Sequence, residues 1–218
     1  LANDRVFHYT VVALPLFIFM AEVVSHSGIG ARLFETTRKW LSWMPGGMAV
    51  ATVWASVLFG AISGSGAATL MVVGLLAVPA MLDNKYSEKL AYGSVAAASG
   101  LGQIIPPSLP IIIYGITAEV SVGKLFMAAI IPGLITASVF SVYIYFMVRS
   151  GKETAPPVSS VSWRERWRAL GYTWPVIVLF LVVMGTIYAG IATITESAAA
   201  GAVGAMVIAA VHRKFNWN

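Results

Sequence analysis

Charged residues divide this chain into long apolar runs and short polar connections, and the lengths of the runs predict the elements. No Asp, Glu, Lys or Arg occurs over 6–21, and beyond Glu22 the apolar character resumes to Ser25, which predicts a span over 6–25. Over 30–44 the pattern becomes two-sided. Arg32, Glu35, Arg38 and Lys39 share one side of a helix, and Leu33, Trp40 and Trp43 share the other. That is the signature of a helix lying at the membrane surface with tryptophan at headgroup depth. Over 40–82, 43 residues then pass without a charge. One helix of that length would be ~64 Å long, about twice the ~30 Å hydrocarbon core. Pro45-Gly46-Gly47 breaks the run early and Ser63-Gly64-Ser65-Gly66 cuts the remainder, leaving arms over 48–62 and 67–82 of ~23 Å each. The economical reading is a re-entrant hairpin over 46–82 whose tip stops inside the bilayer.

A second interruption follows. The uncharged run 90–118 carries Gly100-Leu101-Gly102-Gln103-Ile104-Ile105-Pro106-Pro107-Ser108-Leu109-Pro110 in its middle. Each proline removes an amide donor and clashes with the preceding turn, so the run predicts a discontinuous membrane helix broken near the midplane. A span over 122–148 comes next, then a basic loop over 149–168 with a surface helix around Trp163-Arg164-Glu165-Arg166-Trp167. Residues 169–191 predict another span, and 197–211 begin a helix built largely of Ala and Gly. The chain thus divides into a unit over 1–148, the loop 149–168, and following spans over 169–218. Its fold class is an all-α polytopic membrane protein.

Composition agrees: 58% of the 218 residues are hydrophobic and 11% charged, against ~25% charged in a soluble globule. The net charge of +5 is topological. With a hairpin that enters and leaves on one face, residues 30–39, 83–89, 149–168 and 212–218 share a side and hold 12 of the 14 Lys and Arg, leaving Arg5 and Lys124 opposite. The positive-inside rule makes that side cytoplasmic, and clusters between apolar runs do not form a nucleic-acid face. Two complete spans would give the same parity, so re-entrance rests on arm length and the glycine tip.

Two breaks at membrane depth need partners, because no water is present there to satisfy the freed N–H and C=O groups. The carbonyls ending the first arm, over 60–63, and those exposed over 102–106 present neutral oxygens suited to a hard cation such as sodium. The amides opening the second arm, over 66–69, present a positive helix end suited to an anion. Small residues such as Gly64 and Gly66 also serve close helix packing, and a proline pair also serves as a kink; two breaks beside a hairpin favour a transport site. An intramembrane hydrolase using Ser63 or Ser65 would need a positioned base, and His8, His26 and His212 all lie away from the tip. With no cysteine, thiolate ligation is excluded, and no His/carboxylate spacing resembles a zinc site. Neither Gly28-Ile29-Gly30 nor Gly64-Ser65-Gly66 completes a nucleotide-binding pattern. Glu22, near a span end, reads as hydrated, and Thr195-Glu196 reads as the cap of the Ala-rich helix.

Several motifs together carry a resemblance. Pro15-Leu16-Phe17-Ile18-Phe19-Met20-Ala21-Glu22, Leu58-Phe59-Gly60-Ala61-Ile62-Ser63-Gly64-Ser65-Gly66, Gly102-Gln103-Ile104-Ile105-Pro106-Pro107-Ser108, Val120-Ser121-Val122-Gly123-Lys124-Leu125-Phe126, Ile131-Pro132-Gly133-Leu134 and Thr195-Glu196-Ser197-Ala198-Ala199 stand in an order similar to that of the large membrane subunit of TRAP (tripartite ATP-independent periplasmic) transporters. The resemblance implies an elevator-type secondary transporter of two inverted repeats in a bacterial inner membrane. It implies sodium-coupled uptake of organic acids such as dicarboxylates or sialic acid, a periplasmic substrate-binding protein, and a small membrane subunit. No cofactor is implied beyond sodium as coupling ion. Carried over by motif, sodium-site oxygens fall on Ser63, Gly66, Gly102, Ile105 and Pro106, and substrate-site candidates on Gly64, Ser65, Thr69, Pro107 and Ser108. Gly66 stands where relatives often have serine, which leaves only a carbonyl to act there. The family protein is about twice this length, so the chain corresponds mostly to the first repeat, with both ends truncated. The other readings are a permease working without a binding protein, the serine hydrolase, and a non-catalytic scaffold.

Overall fold

A computed structural model describes residues 11–156 and 161–211; the predicted start of the first span at residues 6–10 and His8 and His212 lie outside them. Among the described residues every regular element is helical. Helix α1 (Ala13–His26) ends at Ser27, whose hydroxyl accepts from the Ile29 amide at 3.3 Å, and Gly28 takes a left-handed φ of 75°. The chain therefore turns by 66° into α2 (Ile29–Leu41), the predicted surface helix. Glu35 bonds Arg38 on its outer side while Leu33 is buried beneath. Burial pushes the Glu35 carboxyl up, but Arg38 beside it, with Lys39, outweighs burial and holds it below the ordinary carboxylate value.

The hairpin forms as α3 (Gly47–Ser63) and α4 (Gly66–Asp83), packed on one another. Tyr86, just past α4, accepts from the Met48 amide at 3.2 Å and so satisfies an orphan donor at the start of α3. Helix α4 has 18 residues, ~27 Å, longer than the arm its predicted bounds gave, and is long and apolar enough to cross a membrane. Its extra length comes from Gly66 and Asp83, which the cap at Ser65 and the turn at Asn84 bring inside the helix.

The interrupted helix consists of α5 (Glu88–Ser99), α6 (Leu101–Ile104) and α7 (Leu109–Thr117), bent by 43° across the gap. Helix α8 (Val122–Arg149) is a continuous 28-residue span. Helix α9 (Trp163–Leu170) starts in a capping box of Ser162 and Glu165. It docks on α2: Thr36 Oγ1 donates to the Ala169 carbonyl, Trp40 Nε1 donates to the Arg166 carbonyl, and Trp40 meets Trp163 and Trp167 edge to face. The next span starts at α10 (Trp174–Phe180) rather than at residue 169, because Ala169 belongs to α9 and Pro175 restarts the helix after a 42° bend. A π turn over Leu181–Gly185 leads into α11 (Thr186–Tyr188).

Helix α12 (Ile194–Val211) packs along α1, where Gly201 makes room: a Cβ there would lie 2.6 Å from Val183 and 2.7 Å from the Met20 sulfur. Its cap is Thr193, not Thr195. Glu196 accepts from the Thr193 amide at 2.8 Å and its own amide donates back to the Thr193 hydroxyl, the Thr-x-x-Glu box, while Thr195 is buried within the helix. Among the described residues α4, α8 and α12 suffice to cross a membrane alone, and three bent pairs do so if each counts as one span.

Candidate functional site

The hairpin tip is a two-residue link between opposed helix ends. Gly64, at φ 63°, terminates α3, with its amide donating back to the Gly60 carbonyl at 2.8 Å. A Cβ at Gly64 would sit 2.6 Å from the Pro107 carbonyl oxygen, so conformation and space both demand glycine. Ser65 is extended, and its hydroxyl accepts from the Ala68 amide at 3.3 Å to start α4. The negative end of one helix and the positive end of the next thus meet at the same place.

Prolines shape the facing break. In a helix the carbonyl of residue i accepts from the amide of i+4. Pro106 and Pro110 carry no amide, so the carbonyls of Gly102 and Pro106 lose their helical donors. Pro107 would strip Gln103 likewise, but the Ser108 hydroxyl donates to that carbonyl while accepting from the Ile111 amide to cap α7. The amide of Leu109, four residues past Ile105, is diverted to the Gly64 carbonyl at 3.1 Å. Gly102, Ile105 and Pro106 therefore all lack the amide a continuous helix would supply.

That Leu109–Gly64 bond joins the two breaks directly. Their backbones also touch: a Cβ on Gly60 would lie 2.5 Å from the Gly102 Cα, and one on Gly102 would collide with the Thr69 hydroxyl. Thr69 Oγ1 donates to the Ser65 carbonyl at 2.8 Å and stands 3.4 Å from Ser63 Oγ. Ser63, Thr69 and Ser108 are fully buried, and Gly64, Gly66, Gly102, Ile105, Pro106 and Pro107 are buried with them. Ser65 is half-buried. All ten residues singled out from the sequence thus lie on these two facing breaks. The hydroxyls of Ser65 and Ser108 are already engaged as caps. Gln103 was missed: its side chain lies over Gly66, where a Cβ would collide with it. The available signal was that it is the one carboxamide in the uncharged run 90–118.

The site contains only neutral groups. Among the described residues no three His, Cys, Asp or Glu side chains gather to hold a metal. What the breaks offer is carbonyl and hydroxyl oxygen, a donor set that fits a hard cation. Among the described residues nothing activates a serine: Ser63 and Ser65 bond to Thr69 and backbone groups, and His26 is held by Glu22 on α1.

A polytopic membrane protein whose interrupted helices meet end to end has the build of a secondary-transport permease. Sequence comparison gives the family: a family model described as "Tripartite ATP-independent periplasmic transporter, DctM component" matches residues 5–218, and the chain belongs to that family. It is 35% identical over 202 residues to the C4-dicarboxylate TRAP transporter large permease protein of Vibrio cholerae serotype O1, covering 93% of this chain and 44% of the relative. It is 36% identical over 216 residues to an isethionate TRAP transporter permease protein of Oleidesulfovibrio alaskensis, covering 95% and 33%. A sialic acid TRAP transporter large permease protein of Vibrio cholerae is 31% identical over 205 residues, covering 94% and 47%. The chain spans from a third to about half the length of these curated relatives.

Proposed function

We propose that this chain is the part of a TRAP large permease that forms one ion site and part of the substrate path, within a sodium-coupled importer of an organic acid in a bacterial inner membrane. Sodium is cargo here. The carbonyls of Gly102, Ile105 and Pro106 on one side, and the last oxygens of α3 at Ser63 with the carbonyl of Gly66 on the other, are its ligands. The first amides of α4, with Gly64, Ser65, Thr69, Pro107 and Ser108 around them, face the anion. The hairpin is re-entrant, its tip held at midplane by the broken helix. A periplasmic binding protein delivers the substrate, and a small membrane subunit completes the complex. The observation that carries this reading is the Leu109–Gly64 bond, which holds the donor-deprived carbonyls of the break against the end of α3 at one buried place.

The test uses the whole permease, reconstituted in liposomes with its small subunit and binding protein. Gly66→Leu forces Gln103 aside and fills the space between tip and break. Sodium-dependent uptake falls at least about tenfold, the consequence of losing ~1.4 kcal/mol of ion binding. Uptake by the variant with unchanged sodium activation would overturn the assignment. Equal uptake without binding protein would instead favour a stand-alone permease.

A further inference from the structure

Helices α5 and α8 both pack on α3 yet do not close on one another, and a slot of about 270 Å³ remains between them. Small residues usually bring membrane helices together. Here Gly93 and Ala97 of α5 face Phe140, Tyr143 and Met147 of α8 across open space, and nothing lies within 4 Å of a Cβ built on Gly93. The walls of the slot are mostly apolar, with Ser94 partway along bonded back to the Ala91 carbonyl, and the slot is charged at one end only, where Lys89 and Glu153 line it. Glu153 is consumed: its side chain is 7% exposed, it accepts from the Ser87 hydroxyl, and it pairs with Lys89 Nζ at 3.5 Å. Lys89 is 82% exposed and presents its remaining donors outward. The end of α8 at Arg149 and the start of α5 at Glu88 place this mouth at the membrane surface, with the apolar part of the slot below it.

We propose that the slot is a binding site for one acyl chain of a phospholipid whose phosphate rests on Lys89. Water is poorly held along it, since its mostly apolar walls offer few partners. A whole helix does not enter it, because three turns of a cylinder about 10 Å across occupy on the order of 1,000 Å³. From Lys89 to Ala97 is about 12 Å along α5, so the slot is long and narrow, a shape that an extended hydrocarbon chain follows. A lipid tail gains nothing by transfer from surrounding hydrocarbon. What retains it is dispersion contact with walls that otherwise face a void, together with the charge at the mouth. The slot lies away from the hairpin tip, so its occupancy is independent of the ion and substrate reading.

The whole permease in its complex is placed in vesicles of phosphatidylethanolamine and phosphatidylglycerol carrying a trace of phosphatidylglycerol with a photoreactive diazirine on one acyl chain. After irradiation, adducts are mapped by mass spectrometry. Labelling concentrates on Phe140, Tyr143 and the α5 residues around Gly93, above the level at Ile131 and Ile135 on the exposed face of α8. Gly93→Leu fills the slot and removes the concentrated labelling while leaving Ile131 and Ile135 labelled, which also reports that the fold is intact. Lys89→Gln, an exposed change, weakens retention about five-fold when the probe is the phospholipid, and not when it is the matching diacylglycerol. Even labelling along α8, indifferent to Gly93→Leu, would overturn the proposal. So would a photoreactive residue placed at 93 cross-linking to protein instead of lipid.

Discussion

Gly60→Ala tests the contact on which the site rests. The added methyl lands 2.5 Å from the Gly102 Cα, whereas ordinary contact begins near 3.4 Å. Both sides of the clash are helix backbone, so no side chain can swing away, and α3 must part from α6 by about an ångström. Overpacking of this kind costs roughly 1–3 kcal/mol, against up to ~1 kcal/mol gained from replacing glycine inside a helix. The control is Gly93→Ala, which adds the same methyl where nothing lies within 4 Å and so receives the helix gain without the clash. Gly60→Ala should therefore lose thermal stability relative to Gly93→Ala by an amount worth ~2 kcal/mol, and, on the proposed function, require more sodium for half-maximal uptake. The assays are thermal unfolding of the purified complex and sodium titration of uptake in liposomes. Equal stability and equal sodium activation of the two variants would refute the close approach of hairpin and break, and with it the shared site.

Other perturbations read out single bonds. Ser108→Ala removes both the cap of α7 and the donor to the Gln103 carbonyl, and should cost about 1–2 kcal/mol, seen as a lowered unfolding temperature that Ser108→Thr largely restores. Tyr86→Phe strands the buried Met48 amide at the start of α3 and should cost about 1 kcal/mol, measured the same way. The carboxyl of Glu35 is lowered on folding, so its stabilisation is complete above the ordinary value of 4.5 and is lost as pH falls through the lowered one; Glu35→Gln should flatten that acid limb of the unfolding temperature. Its exposure keeps the effect small.

Much of this architecture was legible because membrane solvent leaves few alternatives. Uncharged runs place the spans, and Gly and Pro clusters place both breaks, since in hydrocarbon a broken helix must be satisfied by protein. Bounds were less legible where caps decide them. Thr193, not Thr195, starts α12 because the box needs Glu three residues on, and Ala169 joined α9 because Pro175 restarts the helix beyond it. Tertiary partners were not readable at all. The docking of Trp40 on α9 links positions more than 120 residues apart, and Thr186, just past the π turn, meets the Ser197 hydroxyl 2.8 Å away on another helix. Within the site the sequence marks which carbonyls lose their amides. Only packing shows that the Leu109 amide crosses the gap to the Gly64 carbonyl and so leaves Ile105 without its helical donor.

That diversion has an energetic consequence. Gly102, Ile105 and Pro106 keep carbonyls without helical donors in a buried place, and each unsatisfied group of this kind costs several kcal/mol in hydrocarbon. On the proposed function, a cation that supplies the missing partner stabilises tip and break together, which would link ion binding to the integrity of the joint. At a hundredfold excess over its Kd such an ion adds about 2.7 kcal/mol to the stability of the folded protein. Residues 60–69 and 102–109 include no titratable side chain, so pH enters only through groups elsewhere. A joint built from backbone oxygen is thus set by geometry rather than by charge state, which is why its glycines, and not its serines, are the positions where a single methyl does most damage.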